Sequence, residues 1–166
     1  LTTSSAASDV YKRQAMSRLT GQNILLGITG GVAAYKTPAL VRALRAQGAE
    51  INVVMSANAH KFVTPTALQA VSGQPVRDDL WDPTAEASMG HIELARWADQ
   101  ILIAPATANC IAALAQGQAY DLLTTLCLAT DARVMVAPAM NQRMYLHPAT
   151  QHNLGVLKAF GYHVID

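Results

Sequence analysis

Residues 23–48 read NILLGITGGVAAYKTPALVRALRAQG, and this stretch contains the clearest secondary-structure pattern of the chain. Its first six residues form an apolar run that predicts a buried strand, and Gly30 and Gly31 follow as a turn. Apolar residues then recur at helical spacing from Ala33 to Gln47, and Gly48 stands where a glycine commonly ends a helix. The stretch therefore predicts a strand, a glycine turn and a helix in succession.

The same alternation continues along the chain. Short apolar runs predict further strands at 51–55, 101–104, 134–137 and 162–165. Caps and apolar spacing predict helices at 65–72, 107–115, 121–129 and 148–160. Residues 74–90 are predicted to form a loop. In the segment that follows, 91–94, polar and apolar residues alternate. Strands that are apolar throughout are buried on both faces, and helices between them imply a parallel sheet. The predicted fold class is an α/β, Rossmann-like three-layer sandwich with a parallel sheet.

Composition limits the possible partners. Hydrophobic residues make up 51% of the 166 and charged residues 14%, against a typical charged share of about 25%, so we expect a homo-oligomer whose subunit interface buries apolar surface. A net charge of +1 offers no field for nucleic acid or an anionic membrane, and no apolar run reaches the roughly 18 residues of a membrane span. The two cysteines have neither disulfide-framework nor zinc-site spacing, which favours a cytoplasmic protein without a metal.

The first residues differ in character from the rest. Residues 1–15 are rich in Ser, Thr and Ala and show neither helical nor strand periodicity, so we interpret them as a non-native, disordered leader. A natural start is expected near Met16, and residues 16–166 are expected to form one domain.

Candidate site residues follow the predicted strands, because ligands of open parallel sheets bind at the carboxyl ends of the strands. The four segments there are rich in small and polar residues: 29–32, 56–58, 105–109 and 138–141. The first, around Gly30 and Gly31, could expose backbone N–H groups to a phosphate or could simply make a tight turn. It is not GxGxxG, and Ser56 stands where a dinucleotide site would hold an acidic residue, so a mononucleotide is favoured over NAD.

Other polar residues have two interpretations each. Thr107, Asn109 and Asn141 could contact a ligand or serve only as cap and turn residues. His91 follows a loop and precedes a strand, which suits proton transfer near the strand ends, although a packing role is the commoner one. The other four histidines and both cysteines are expected to be surface or packing residues.

Four segments together resemble the flavin-containing cysteine decarboxylases, and the similarity runs from about Gln22 to the end. They are TGGVAAYK at 29–36, HIELARWAD at 91–99, APATAN at 104–109 and PAMNQRM at 138–144. The resemblance implies FMN as cofactor. It implies FMN contacts from Gly30, Gly31, Val32, Ser56, Ala57, Asn58, Thr107, Ala108, Asn109, Cys110 and Ala139, of which Cys110 departs from the Thr often found there.

The resemblance also implies an activity, the decarboxylation of 4′-phosphopantothenoylcysteine to 4′-phosphopantetheine in coenzyme A biosynthesis. His91 matches the catalytic histidine of the family and Asn141 the asparagine that holds the substrate. Decarboxylation of an ordinary cysteine would leave a carbanion without an electron sink. Oxidation of CH2–SH to a thioaldehyde supplies that sink, loss of CO2 gives an enethiolate, and reduction completes a redox-neutral cycle.

Further family features are expected from the same resemblance. They are a trimer or a multiple of one, a fused phosphopantothenate-cysteine ligase domain, and a substrate-covering flap whose cysteine would lie beyond Asp166. Without that flap the chain is expected to be incompetent in the last reductive step. Two alternatives remain: a flavin prenyltransferase of the same fold, which normally has a Gly-Ala-Ser type first loop and lacks the 91–99 pattern, or a non-catalytic flavin-binding regulatory subunit, which usually carries an acidic tail.

Overall fold

A five-stranded parallel sheet forms the centre of the computed structural model, which describes residues 18–165. The strands are β1 (Asn23–Ile28), β2 (Glu50–Met55), β3 (Gln100–Ala106), β4 (Arg133–Pro138) and β5 (His163–Val164), in the spatial order β2-β1-β3-β4-β5. Ile28 is in register with Met55, and Ala106 is in register with Pro138. The ends of β1 to β4 therefore meet at one edge of the sheet, which we call the carboxyl edge. The predicted leader at 1–15 lies outside the described residues.

Helices cover both faces of the sheet. They are α1 (Thr37–Ala46), α2 (Pro65–Ser72), α3 (Pro83–Ser88), α4 (His91–Trp97), α5 (Ala108–Ala115), α6 (Leu122–Ala129), α7 (Gln142–Leu146) and α8 (Pro148–Ala159), with short 3-10 helices at Val32–Lys36 and Ala57–Lys61. Leu25 of β1 packs in one core with α4, α5, α6 and α8, while its neighbour Leu26 packs in a second core with α1 and α2. Two cores separated by one sheet confirm the predicted three-layer sandwich.

The ends of α2 show how local sequence sets these boundaries. Thr64 begins the helix, because its side chain accepts a hydrogen bond from the Ala67 amide at 3.2 Å, and Pro65 follows. Gly73 ends it with φ of +74°, a left-handed conformation that side chains other than glycine rarely adopt. The predicted boundaries of this helix are confirmed.

The helix predicted from Ala33 to Gln47 is divided. A 3-10 turn at Val32–Lys36 precedes α1. Pro38 has no N–H to donate to the Ala34 carbonyl, which a continuous α-helix would require, and the Thr37 hydroxyl donates to that carbonyl instead at 2.7 Å. The proline therefore explains the break.

The region before β3 was predicted wrongly. Residues 74–90 contain the helix α3 within the expected loop, because Asp82 caps it by accepting from the amides of Thr84 and Ala85, and Pro83 occupies its first turn. His91 to Leu94, where polar and apolar residues alternate, is the first turn of α4, and Leu94 and Ala95 of this helix are buried. The helix α7 after Asn141 was not predicted at all.

None of the helices within residues 18–165 is long and apolar enough to cross a membrane.

Candidate functional site

The loops after β1 and β2 touch at Gly30 and Asn58. A Cβ atom added to Gly30 would overlap the Cβ of Asn58 and would lie 3.0 Å from its carbonyl carbon. The neighbouring Ser56 amide donates to the Ile28 carbonyl at 2.9 Å, which holds the two strand ends together. A residue with a side chain cannot occupy position 30 unless the second loop moves, so glycine is required here by close approach rather than by backbone conformation.

The third and fourth strand-end segments lie next to Gly31. A Cβ atom on Gly31 would meet Thr107 Cγ2 at 3.5 Å, the Ala139 carbonyl oxygen at 3.7 Å and Pro105 Cγ at 3.8 Å. The Ala139 amide in turn donates to the Ala106 carbonyl at 3.0 Å. The four predicted strand-end segments therefore converge around the Gly30-Gly31 pair.

Thr29 fixes this arrangement and is missing from the predicted contacts. Its buried hydroxyl donates to the Pro105 carbonyl at 2.5 Å and accepts from the Thr107 amide at 3.0 Å. Both bonds tie the end of β1 to the end of β3. A threonine directly before a glycine pair, at the end of an apolar strand, was the available sequence signal for this role.

The residues of the second segment differ in exposure. Ser56 is half-buried and begins the 3-10 helix Ala57–Lys61, but its hydroxyl makes no capping hydrogen bond. Ala57 and Asn58 are exposed. The Ser56 hydroxyl and the Asn58 amide are therefore polar groups at the carboxyl edge that the capping of this segment does not use.

The third segment begins the helix α5. Thr107 caps α5 by accepting from the Cys110 amide at 3.2 Å, with Ala108 half-buried beside it. Asn109 is exposed, and its Nδ2 donates to the Tyr120 hydroxyl at 3.4 Å. The cap interpretation of Thr107 is thus correct, and Thr107 Cγ2 also lies beside Gly31.

Cys110 lies on the other side of that turn. Its side chain is 2% exposed and belongs to the core. Burial raises the pKa of the Cys110 thiol to about 12, with a smaller contribution from Asp121. The thiol is therefore a neutral packing group, as predicted for both cysteines, and the side chain presents no charge to a ligand.

Asn141 lies at the carboxyl edge after β4. It caps α7, because its Oδ1 accepts from the Arg143 amide at 2.9 Å. Among residues 18–165 the Asn141 Nδ2 has no hydrogen-bond partner, and the side chain is exposed. The cap orients the side chain while leaving the amide N–H groups to a ligand.

His91 is held by a carboxylate that sequence reasoning missed. One oxygen of Glu86, Oε2, lies 3.2 Å from His91 Nδ1 and accepts from the His91 amide at 3.2 Å. Hydrogen bonding by His91, first from its side chain and then from its backbone, lowers the pKa of Glu86 from its ordinary value of 4.5. In the described part of the chain, no hydrogen bond joins His91 to the four strand-end segments. His60 and His147 have structural partners, Asp78 and the Ala149 amide.

The candidate site cannot be identified from cavity volume. A cavity of about 190 Å³ borders the carboxyl edge between α1 and the ends of β3 and β4. A larger one of about 580 Å³ lies beside the first residues of β2 under α3 and α4, and none of the predicted site residues lines it. The convergence of the loops, rather than volume, is what identifies the site.

The residues at the carboxyl edge suit a phosphorylated ligand with a flat ring. The two glycines keep side chains away from the backbone, and exposed polar groups come from Asn58 and Asn109. Ser56 replaces the acidic residue of a dinucleotide site, and Val32 adds an apolar surface that is 71% exposed. The fold is of the doubly wound α/β class, and the carboxyl edge is its candidate ligand site.

The chain belongs to the Flavoprotein family, whose sequence profile matches residues 12–166. A relative, the Coenzyme A biosynthesis bifunctional protein CoaBC of Vibrio vulnificus (strain YJ016), is 60% identical over 149 residues, which cover 90% of this chain and 37% of that protein. The chain thus spans a little over a third of the length of this relative. Membership of the family supports a flavin as the cofactor.

Two solved structures resemble the fold closely. The FMN-dependent cysteine decarboxylase SpaF matches with a TM-score of 0.81 and 35% identity, covering 89% of this chain and 85% of that one. A cysteine-to-serine mutant of PPC decarboxylase complexed with pantothenoylaminoethenethiol matches with a TM-score of 0.73 and 32% identity, covering 87% of this chain and 81% of that one. The predicted fold class and the predicted family resemblance are both confirmed.

Proposed function

We propose that this chain is a decarboxylase domain that uses FMN to convert 4′-phosphopantothenoylcysteine to 4′-phosphopantetheine in coenzyme A biosynthesis. The observation that carries the proposal is the convergence of four strand-end segments around Gly30 and Gly31. The 60% identity to a coenzyme A biosynthesis protein and the similarity to a PPC decarboxylase complex support the substrate.

The FMN contacts follow from the loops. Backbone of Gly30, Gly31 and Val32 would hold the phosphate and ribityl chain together with Ser56, Ala57 and Asn58. The remaining contacts would come from Thr107, Ala108, Asn109, Cys110 and Ala139. For Cys110 the buried thiol limits this contact to the backbone. Position 56 is a serine rather than the acidic residue that binds the ribose in a dinucleotide site, which favours FMN over a dinucleotide.

The chemistry requires an electron sink, which FMN supplies when bound by accepting two electrons and later returning them. His91 accepts the thiol proton as the CH2–SH group is oxidised to C=S, and Asn141 orients the carboxylate through its Nδ2 donor. CO2 then leaves, and the electron pair of the broken C–C bond stays on the substrate, where it is delocalised onto sulfur. The proton that completes the product comes, in this proposal, from a cysteine on a substrate-covering flap, a position that neither Cys110 nor Cys127 matches.

Association with other subunits is part of the proposal. Four apolar side chains at or beside the carboxyl edge are at least half exposed: Val32 (71%), Tyr35 (61%), Met144 (50%) and Leu146 (61%). Such clustering is typical of surfaces that contact another protein. We propose a cytoplasmic homo-oligomer, a trimer or a multiple of one, with a phosphopantothenate-cysteine ligase domain fused in the full-length protein.

Spectroscopy and product analysis together test the proposal. Purified protein should be yellow, heat denaturation should release FMN identifiable by mass spectrometry, and 4′-phosphopantothenoylcysteine should lose CO2. His91→Asn and Asn141→Asp should keep the flavin and lose decarboxylation, whereas Lys158→Ala, on the exposed face of α8, should change neither. A folded protein that neither contains nor takes up FMN, or that transfers a prenyl group instead, would refute it.

A further inference from the structure

The contact between Glu86 and His91 is built by several independent features. Both His91 hydrogen bonds, from the amide and from Nδ1, converge on Glu86 Oε2 at 3.2 Å. Glu86 lies on α3, whose first turn is fixed by the Asp82 cap, and His91 is the first residue of α4. Two short helices therefore present the carboxylate and the imidazole to each other.

Gly90 lies directly against the Glu86 carboxylate. A Cβ atom at position 90 would lie 2.8 Å from Glu86 Oε1 and 3.2 Å from its Cδ. Yet Gly90 has φ of −60° and ψ of 163°, a conformation open to every residue. The backbone does not require glycine here. A Cβ there would instead displace the Glu86 carboxylate, which is the end of a flexible side chain.

The loop before His91 is also attached to the sheet. Arg77 Nη1 donates to the Met89 carbonyl at 2.7 Å. The Arg77 backbone in turn pairs with β2, because its amide donates to the Val53 carbonyl at 2.9 Å and its carbonyl accepts from the Met55 amide at 2.8 Å. The residues that flank Glu86 and His91 are thus tied to the same sheet that carries the candidate site.

The chemistry of the pair selects one form of the imidazole. An ionised carboxylate only accepts hydrogen bonds, so the ring nitrogen facing it must carry the proton. The pKa of Glu86 is lowered by hydrogen bonding from His91, which keeps this carboxyl ionised at neutral pH. With the proton on Nδ1, neutral His91 has its lone pair on Nε2.

We propose that Glu86 is a positioning residue that holds His91 as the Nδ1–H tautomer and so makes Nε2 the nitrogen that accepts the substrate proton. The role of Nε2 as proton acceptor rests on the proposed function, whereas the assignment of the His91 tautomer rests on geometry alone. An internal comparison exists, because the second histidine–carboxylate pair has the opposite arrangement. His60 faces Asp78 through Nε2 at 3.0 Å and should therefore be the Nε2–H tautomer.

The tautomer of His91 can be tested by ¹⁵N NMR of histidine-labelled protein, purified together with any flavin that it binds. At about pH 8, where unperturbed imidazoles are neutral, His91 should show a protonated Nδ1 and His60 a protonated Nε2. Glu86→Gln and Gly90→Ala should each convert His91 to a mixture of tautomers, the first by removing the charge and the second by displacing the carboxylate. Asp78→Asn should alter His60 and leave His91 unchanged. An unchanged His91 spectrum in both Glu86→Gln and Gly90→Ala would overturn the proposal.

Kinetics test the second part separately. Glu86→Gln should lower kcat for CO2 release roughly 10-fold or more, with KM within about threefold, while Asp78→Asn keeps both. An active parent protein whose kcat survives Glu86→Gln would refute the positioning role. A parent protein that releases no CO2 while its His91 tautomer still depends on Glu86 would instead refute the proposed function and leave the tautomer assignment standing.

Discussion

The Thr29 hydroxyl joins the ends of β1 and β3 by donating to the Pro105 carbonyl at 2.5 Å, which also accepts from the Thr29 amide at 3.2 Å. The hydroxyl also accepts from the Thr107 amide, so one buried oxygen orients two of the four site segments. The Gly30-Gly31 pair lies directly after this anchor, which makes the geometry of the site depend on a residue that need not touch the ligand.

Replacing Thr29 by Val should therefore destabilise the fold. The change keeps the shape but leaves the Thr107 amide without its partner and leaves the Pro105 carbonyl with only the residue-29 amide at 3.2 Å, at a cost of about 1–3 kcal/mol. Urea unfolding of the flavin-free protein measures this. Thr29→Ser keeps the hydroxyl and should lose clearly less than Thr29→Val. Equal losses in both variants would show that the methyl group, rather than the hydrogen bonds, matters.

Gly30→Ala should weaken FMN binding by about tenfold or more, roughly 1.4 kcal/mol. The new Cβ would displace Asn58 and separate the first two loops. Gly155→Ala is the matched control, because a Cβ there meets no atom within 4 Å and a helix interior gains about 0.5–1 kcal/mol from the exchange. Fluorescence titration with FMN and thermal unfolding give the two readouts. Normal FMN affinity in Gly30→Ala would contradict the close contact.

Both cysteines should resist thiol reagents in the folded protein. Burial raises the pKa of Cys110 to about 12 and raises the pKa of Cys127 as well. Since a raised pKa keeps a thiol protonated until the pH climbs through it, both thiols are in the unreactive protonated form at about pH 8. Labelling with a chromogenic disulfide should be slow in native protein and complete in urea. Fast native labelling of Cys110 would place it nearer to solvent than the structure does.

The Glu86 carboxyl should titrate below 4.5, because His91 favours its ionised form. A lowered folded pKa contributes stability that is present above the unfolded value and is lost as the pH falls through the folded value. Carbon NMR of the labelled carboxyl should thus show a midpoint below 4.5 that rises in His91→Ala. A midpoint that does not respond to His91→Ala would mean that the pair does not form in solution.

The sheet and its carboxyl edge could be predicted because each depends on a local pattern. Apolar runs such as 23–28 indicate buried strands, and polar or small residues directly after them indicate the edge where ligands bind. The gathering of Gly30, Asn58 and Thr107 then follows from parallel topology alone.

The helices before β3 were less predictable, although Asp82-Pro83 carries the same kind of signal as Thr64-Pro65, which was used for α2. The surrounding prolines and acidic residues favoured a loop. The Glu86 and His91 pair had no usable signal, because residues five apart share a face neither in a helix nor in a strand. Their contact needs a helix break at Gly90 that only the folded chain shows.

The hydrogen bonds of Thr29 have a further consequence for the order of folding. Their partners are 76 and 78 residues away along the chain, so closing this contact requires an unfavourable long loop. A folding intermediate that contains only β1, α1 and β2 would have the glycine turn but not the anchor that orients it. Ligand capture should therefore appear late in refolding, after β1 and β3 have paired, and flavin present during refolding would trap the finished protein rather than guide its early steps.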